Sequence, residues 1–232
     1  MTLTILFEDE HLLAVSKPAG LSTQAPPIAG TTLETLVRAY FGDGDPLSAF
    51  AGTVHRLDRP VSGVVLWAKT SRDAHLLARQ FERRSVTKEY WAVINGEPTP
   101  RFGVWEDWLV REDTGLGRVQ RCRPGTPRAQ HARTRFEVGG QTPSEPGLAS
   151  LKLWPETGRM HQLRVQTGER GWPIIGDQLY GSRQEFEPNA VALHAACISF
   201  LHPRDNRPLV IQAPVPESWL NRGWGELFAR AE

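Results

Sequence analysis

Cysteine is almost absent: Cys122 and Cys197 are the only two in 232 residues, and neither belongs to a CxxC pair or a Cys/His cluster. That excludes a disulfide scaffold and a structural zinc site of ordinary spacing, and no metal is expected. Long apolar runs are missing as well. The longest uncharged stretch that leans apolar, 188–203, has 16 residues and carries Asn189, His194 and His202, short of the roughly 20 apolar residues a membrane-spanning helix needs. A signal-peptide pattern is lacking, because Glu8, Asp9 and Glu10 arrive early and no basic residue precedes Lys17. There is no internal repeat, low-complexity tract or linker, so a single domain over 1–232 is expected. Hydrophobic residues at 40% and charged residues at 23% exclude a disordered chain. A soluble cytoplasmic protein without a membrane partner is the expectation.

Lysine is the other scarcity. Lys17, Lys69, Lys88 and Lys152 are the only four, so 23 of the 27 basic residues are arginines. Genome composition produces such a bias, but arginine also suits planar, bidentate phosphate and base contacts. The net charge is only +1, yet the stretch 118–135 holds Arg118, Arg121, Arg123, Arg128, Arg133 and Arg135 with no acidic residue. It is a local candidate surface for a polyanion, and a solvated loop is the plainer alternative.

Two short apolar runs, 3–7 and 12–16, flank Glu8-Asp9-Glu10-His11 and predict a hairpin. Lys17-Pro18-Ala19-Gly20 breaks the second strand. Leu33, Leu36, Val37 and Tyr40 mark a helix over 32–41, and 63–69 reads as a buried strand. Ser71 is the expected N-cap of an amphipathic helix to about residue 84, built on Ala74, Leu77, Ala78 and Phe81. Further strands are expected at 88–94, 105–110, 132–138, 148–154, 191–201 and 209–212. The stretch 160–170 has too few apolar residues to choose between helix and strand. Regions 111–130 and 139–147, rich in Gly, Pro and Arg, are expected on the surface. The sum is a strand-rich α+β chain with two or three helices.

Chemistry concentrates in three segments. His55-Arg56-Leu57-Asp58-Arg59-Pro60-Val61-Ser62-Gly63 sets a carboxylate between two arginines just before a buried strand. A carboxylate so placed is expected to be ionised at neutral pH, which is wrong for a general acid and suitable for attack on an electrophilic carbon. A surface loop laced with salt bridges would look similar. Thr157-Gly158-Arg159-Met160-His161-Gln162-Leu163-Arg164-Val165 offers two arginines, a His and a Gln to a phosphate or carboxylate, or a solvated helical turn. Lys88-Glu89-Tyr90 heads a strand, where a Tyr is ordinarily a packing residue.

Together these segments resemble a family. Residues 55–63, followed by Ala68-Lys69, resemble the HRLDRxTSG box of the RluA-like pseudouridine synthases. Lys17-Pro18-Ala19-Gly20 resembles its KPxG box, and Lys88-x-Tyr90-x-Ala92-x-Ile94-x-Gly96 its KxYxAxVxG strand. Residues 157–165 resemble TGRxHQxR, and 171–181 resemble GxPIxGDxxYG. Leu193-His194-Ala195 and Phe200-x-His202-Pro203 resemble the LHA and FxHP elements. The boxes run in order from about residue 12 to 214. Val61 departs from the family's usual Thr. The early KPxG box leaves no room for an upstream S4 RNA-binding domain, so a catalytic-domain-only form is expected.

The resemblance implies the pseudouridine synthase α+β fold: a mixed, mostly antiparallel sheet with flanking helices and a central RNA-binding cleft. It implies isomerisation of uridine in structured RNA, rRNA or a tRNA stem-loop, by a cofactor-free enzyme. A monomer is expected. Asp58, Tyr90 and Arg164 are the implied catalytic residues, with Arg164 pairing the Asp58 carboxylate and Tyr90 lying against the base to take the C5 proton. Arg56 is implied to fill the RNA stack when the uridine flips out, assisted by His55. The implied RNA-binding set continues with Arg59, Lys88, Arg121, Arg123, Arg159, His161 and Leu193. Two other classes stand beside this reading. One is an RNA-binding or RNA-folding module of the same fold with little catalysis. The other is an unrelated Asp-nucleophile glycosidase, which needs a second catalytic carboxylate; Asp177 is the only acid in a comparably dense segment.

Overall fold

A computed structural model describes residues 2–24, 30–45, 49–113, 117–141 and 145–228. The chain divides into two compact units, one of residues 1–88 and 195–214, the other of residues 89–194 and 215–232.

The first unit opens with the expected hairpin. Strand β1 (Thr4–Glu8) pairs antiparallel with β2 (Leu12–Lys17), and Asp9 closes the turn by accepting the N–H groups of His11 and Leu12 at 2.8 Å each. Helix α1 (Leu33–Phe41) follows, capped by Thr32 in a reciprocal box with Thr35. Leu33 and Val37 are its buried residues, whereas Tyr40 is exposed and donates to Glu8. After the short β3 (Gly52–Thr53), β4 (Ser62–Ala68) is buried throughout, as its unbroken apolar run requires. Helix α2 (Ser71–Glu82) is capped by Thr70, one residue before the expected Ser71; the Thr70 hydroxyl accepts the Asp73 N–H. Strand β10 (Leu193–Leu201), from Ala195 onward, lies beside β4, and β11 (Pro208–Gln212) pairs with it, giving the order β1-β2-β4-β10-β11 with β3 on β4. Gly63 shows why the Ser-Gly pair stands where β4 begins. Its φ is +122°, and a Cβ there would lie 2.3 Å from the Ala195 carbonyl oxygen, so only glycine admits this approach.

His202, from the FxHP element, is buried between two carboxylates, Nε2 3.1 Å from Asp9 and Nδ1 2.9 Å from Asp205. Arg207 reaches the same two acids. Beside them Asp73, fully buried at the start of α2, takes Arg204 at 2.6 Å and lies 3.4 Å from His11. The motif therefore ties the β1–β2 turn and α2 to the turn after β10. Its work is structural.

The second unit is an antiparallel sheet. Strand β5 (Thr87–Asn95), from Glu89 onward, pairs with β9 (Leu148–Pro155). That strand pairs with β8 (Gln130–Gln141), β8 with β6 (Phe102–Arg111), and β6 with β7 (Val119–Cys122), giving the strand order β5-β9-β8-β6-β7. Strand β7 is not among the expected strands; it lies in the 111–130 region, expected only to be surface, and two of its four residues are exposed. Parts of that region and the next, 114–116 and 142–144, lie outside the described residues. Helix α3 (Gln162–Gly168) resolves the ambiguous stretch, and a 3-10 turn (Gln178–Tyr180) follows. A short helix α4 (Glu217–Asn221) and a second 3-10 turn (Gly225–Phe228), neither expected, bring Trp219, Trp224 and Phe228 into the core, Phe228 stacked on Trp91 at 5.0 Å. Among the described residues no helix is long and apolar enough to cross a membrane, and no group of three or more His, Cys, Asp or Glu is placed to hold a metal ion.

Candidate active site

The residues singled out in the sequence fall into two groups, one in each unit. In the first unit, the loop over 54–61 carries Asp58, half-buried, with the exposed Arg56 and Arg59 on either side. The chain around this loop is spent on holding it. Thr23 pins Leu57 from both sides, its hydroxyl donating to the Leu57 carbonyl at 2.8 Å and accepting the Leu57 N–H at 3.2 Å. The Asp58 carbonyl accepts the Val61 N–H at 3.1 Å, closing a turn. Val61, in place of the family's Thr, is 2% exposed and packs as core.

His55 has an internal task. Its Nε2 accepts the Leu66 N–H at 3.0 Å, and its ring stacks on Phe81 with centroids 5.2 Å apart. A nitrogen that accepts from a backbone N–H must be unprotonated. Burial, with the Lys88 charge adding to it, pushes the His55 pKa down to about 3. The ring thus anchors the loop to β4 as a neutral imidazole.

The KPxG turn grips the other end. Gly20 and Arg59 exchange two hydrogen bonds, Gly20 N–H to the Arg59 carbonyl at 2.9 Å and Arg59 Nε to the Gly20 carbonyl at 3.0 Å. Lys17 is fully buried, its Nζ donating to the carbonyls of Pro18, Leu21 and Arg59 at 2.9, 2.8 and 3.2 Å. Burial pushes its pKa down to about 7, against the opposing pull of the Asp58 carboxylate. Lys17 was not among the residues assigned a role from sequence, although its motif was recognised; the signal was a lone lysine ending an otherwise apolar strand.

A consequence for stability follows from linkage. Unfolded, Lys17 titrates near its ordinary 10.5, and folded near 7. Between those values the native protein binds fewer protons than the unfolded chain, so this group raises stability as pH rises through the window. Denaturation midpoints of the protein are therefore expected to climb relative to Lys17→Met between pH 7 and about pH 10. Midpoints that run parallel for the two proteins would contradict a lysine with a depressed folded pKa.

In the second unit, Tyr90 is half-buried on β5, opposite Leu153 of β9. Arg164 lies on α3, 6% exposed. Its Nε and Nη2 meet the two oxygens of Asp177 at 2.7 and 2.8 Å, a bidentate pair, and its guanidinium lies 5.2 Å from the Tyr180 ring centroid. Asp177, 1% exposed, is thereby committed to Arg164, and the small-nucleoside glycosidase reading loses its second carboxylate. That partnership was not foreseen; the signal was the one acid in the GxPIxGDxxYG segment.

The TGRxHQxR segment builds the support for Arg164. The Thr157 hydroxyl and the Arg159 N–H both donate to Gln162 Oε1, and Gln162 Nε2 donates to the Arg133 carbonyl and the Thr134 hydroxyl. Thr134 donates on to Gln166, whose amide donates to buried Asp107. Buried polar groups are tolerated when paired in this way. His161 adopts φ +53° just before the helix and hydrogen-bonds the Tyr180 hydroxyl at 2.8 Å, while that hydroxyl accepts the Val119 N–H. Arg159 Nε donates to the His131 carbonyl. Leu193, assigned an RNA contact from sequence, is 2% exposed.

The arginine-rich stretch is partly neutralised by acids that lie outside it. Arg118 faces Glu112, Arg128 faces Asp113, and Arg133 meets Glu106 and Glu156. Arg135 lies 4.0 Å over the Trp154 ring. Arg121 on β7 is half-exposed and 3.6 Å from Asp107. Arg123 is exposed, with no ion-pair partner among the described residues.

The family model of RNA pseudouridylate synthases matches residues 11–168. The uncharacterized RNA pseudouridine synthase YhcT of Bacillus subtilis is 34% identical over 94% of this chain and 70% of its own length. Ribosomal large subunit pseudouridine synthase D of Xanthomonas campestris is 34% identical over 93% of this chain and 66% of its own. The human protein RNA pseudouridylate synthase domain containing 4 superposes with a TM-score of 0.75 at 25% identity, over 94% of this chain and 90% of that one. The chain spans about two thirds of the length of these bacterial relatives.

Proposed function

The chain belongs to the RNA pseudouridylate synthase family, and from that membership we propose that it converts uridine to pseudouridine in large-subunit ribosomal RNA, with Asp58 as the attacking group. It is an isomerase acting on RNA with the pseudouridine synthase fold. The choice of ribosomal RNA over tRNA rests on relatives named for the ribosomal large subunit.

The observation that carries the role of Asp58 is the investment in its loop. Thr23, His55 and Lys17 all spend buried polar groups on holding it, as a carboxylate that must meet a sugar carbon at fixed geometry requires. The N1–C1′ bond breaks, the uracil turns, C5 bonds to C1′, and the C5 proton is lost as N1 regains one. The Asp58 carboxylate either adds to C1′ or removes the C2′ proton to start this sequence. Tyr90 is assigned the C5 proton. Arg164, oriented by Asp177, is assigned to the Asp58 carboxylate. Arg56 takes the place of the flipped base, and Arg59, Arg159, His161, Arg121 and Arg123 contact the RNA, whose phosphates dominate affinity. His55 and Leu193, whose side chains are occupied internally, act by shaping the site. The enzyme works as a cytoplasmic monomer.

Incubation with unmodified transcripts of large-subunit rRNA and of tRNA, followed by mass-spectrometric mapping of pseudouridine, tests the substrate. Pseudouridine at a defined site in the rRNA transcript is expected. Modification confined to tRNA would overturn the assignment to ribosomal RNA.

A further inference from the structure

The basic stretch is divided by its sheet between two faces. Arg121 of β7 stands 3.6 Å from Asp107, whose carboxylate is bonded to Gln166 of α3 and to Arg170, so Arg121 lies on the side that α3 covers. Side chains alternate along a strand, and the register puts Phe102, Val104, Arg135, Glu137 and Trp154 on the other side. There Val104 stands opposite Arg135, Arg135 opposite Trp154, and Phe102 opposite Glu137. With Arg101 they line an open groove of about 640 Å³. Phe102 is 74% and Val104 44% exposed. Arg133, on the same face, is taken up by Glu106 and Glu156, whereas the exposed Arg135 has no ion-pair partner among the described residues.

We propose that this groove binds an unpaired base of a single-stranded RNA segment, stacked against Phe102 and Arg135 with a neighbouring phosphate on Arg101. This rests on the RNA reading given above and adds a contact on the face turned away from α3. The Arg135 guanidinium lies 4.0 Å over the Trp154 ring, and the indole is itself fixed by donating to Glu89 at 3.2 Å. A guanidinium held on an indole keeps its orientation, and its solvent side is a plane on which a base stacks, as on an aromatic ring. Arg101 donates through Nη2 to the Val138 and Gly139 carbonyls and meets no carboxylate among the described residues, so its charge is left for a phosphate. Glu137 is the one acid among the described lining residues. It repels a phosphate or a peptide carboxylate but accepts the amino group of a base. Aromatic surface, cation and acceptor in one groove therefore favour a nucleotide over an acidic peptide.

The test is binding of a fluorescently labelled single-stranded RNA of adenosine and cytidine only, which offers no uridine to isomerise, to the intact protein and to its Phe102→Ala and Arg101→Gln variants. Anisotropy is followed across roughly 50 to 300 mM KCl. Phe102→Ala is expected to weaken binding at least about fivefold, the loss of one stacked base, with the slope of log affinity against log salt unchanged because no charge is removed. Arg101→Gln is expected to reduce that slope by about 0.7, one phosphate contact to a single strand. Both side chains are exposed, so both variants are expected to melt with the parent. Equal affinities of the three proteins, or a parent that binds the rRNA transcript but not this oligonucleotide, overturn the inference and leave the RNA reading intact. Binding of a labelled peptide of glutamate and leucine that Phe102→Ala loses, with RNA binding equal in parent and variant, overturns it in favour of a protein partner. A parent that binds neither RNA overturns both readings.

Discussion

Replacing Asp58 by Asn is expected to lower single-turnover pseudouridine formation by roughly four orders of magnitude or more, the range seen when a nucleophile is removed. RNA affinity is expected to stay within about threefold, because the phosphate contacts that dominate affinity are untouched. The fold should hold as well. The loop is fixed by Thr23, by the His55 ring and by the backbone exchange between Gly20 and Arg59, and Asn has nearly the shape of Asp. Turnover within tenfold of the parent would show that another group attacks the ribose.

Asp177→Ala carries the largest expected cost in stability. The substitution takes away the carboxylate that receives two Arg164 N–H groups in a site where Arg164 is 6% and Asp177 1% exposed. Removing one partner of a buried ion pair costs about 3–5 kcal/mol, because the remaining charge stays buried. Urea denaturation followed by tryptophan fluorescence measures this, since Trp219 and Trp224 lie in the same unit's core. The double variant Arg164→Met, Asp177→Leu separates the structural role from the catalytic one. It is expected to regain most of the lost stability, as buried pairs replaced by apolar residues do, yet to remain inactive because Arg164 is gone. A loss below about 1 kcal/mol in Asp177→Ala would place the pair among weak surface interactions.

The elements that apolar periodicity predicts are present in the fold. The 3–7 and 12–16 runs pair as β1 and β2, the 63–69 run is buried β4, and Leu33 and Val37 are the buried face of α1. Periodicity failed at α3 for a physical reason. Every residue from Gln162 to Thr167 is buried, but Gln162, Arg164 and Gln166 are buried by pairing with Thr134, Asp177 and Asp107. A polar residue satisfied by distant partners carries no apolar signal. Strand β7 was hidden among Gly, Pro and Arg, and its pairing with β6 depends on register. The cap of α2 moved by one residue because Thr70 and Ser71 both bear the hydroxyl that a cap requires.

The site was legible as motifs more than as tasks. The Asp58 segment stood out by composition, but nothing in the letters says that His55 turns inward to β4, or that the acids facing Arg118, Arg128 and Arg133 come from outside the basic stretch. Pairing of that kind is a property of strand order and register.

Tritium release from RNA labelled at uridine C5 tests the central claim most directly, because the C5 hydrogen leaves only when C5 becomes the carbon joined to the ribose. The parent protein, given large-subunit rRNA transcripts, is expected to release tritium up to one equivalent per modified site, and Asp58→Asn is expected to release none above background. Release at equal rates from both proteins, or from neither while both bind the RNA, would contradict an isomerase built on Asp58.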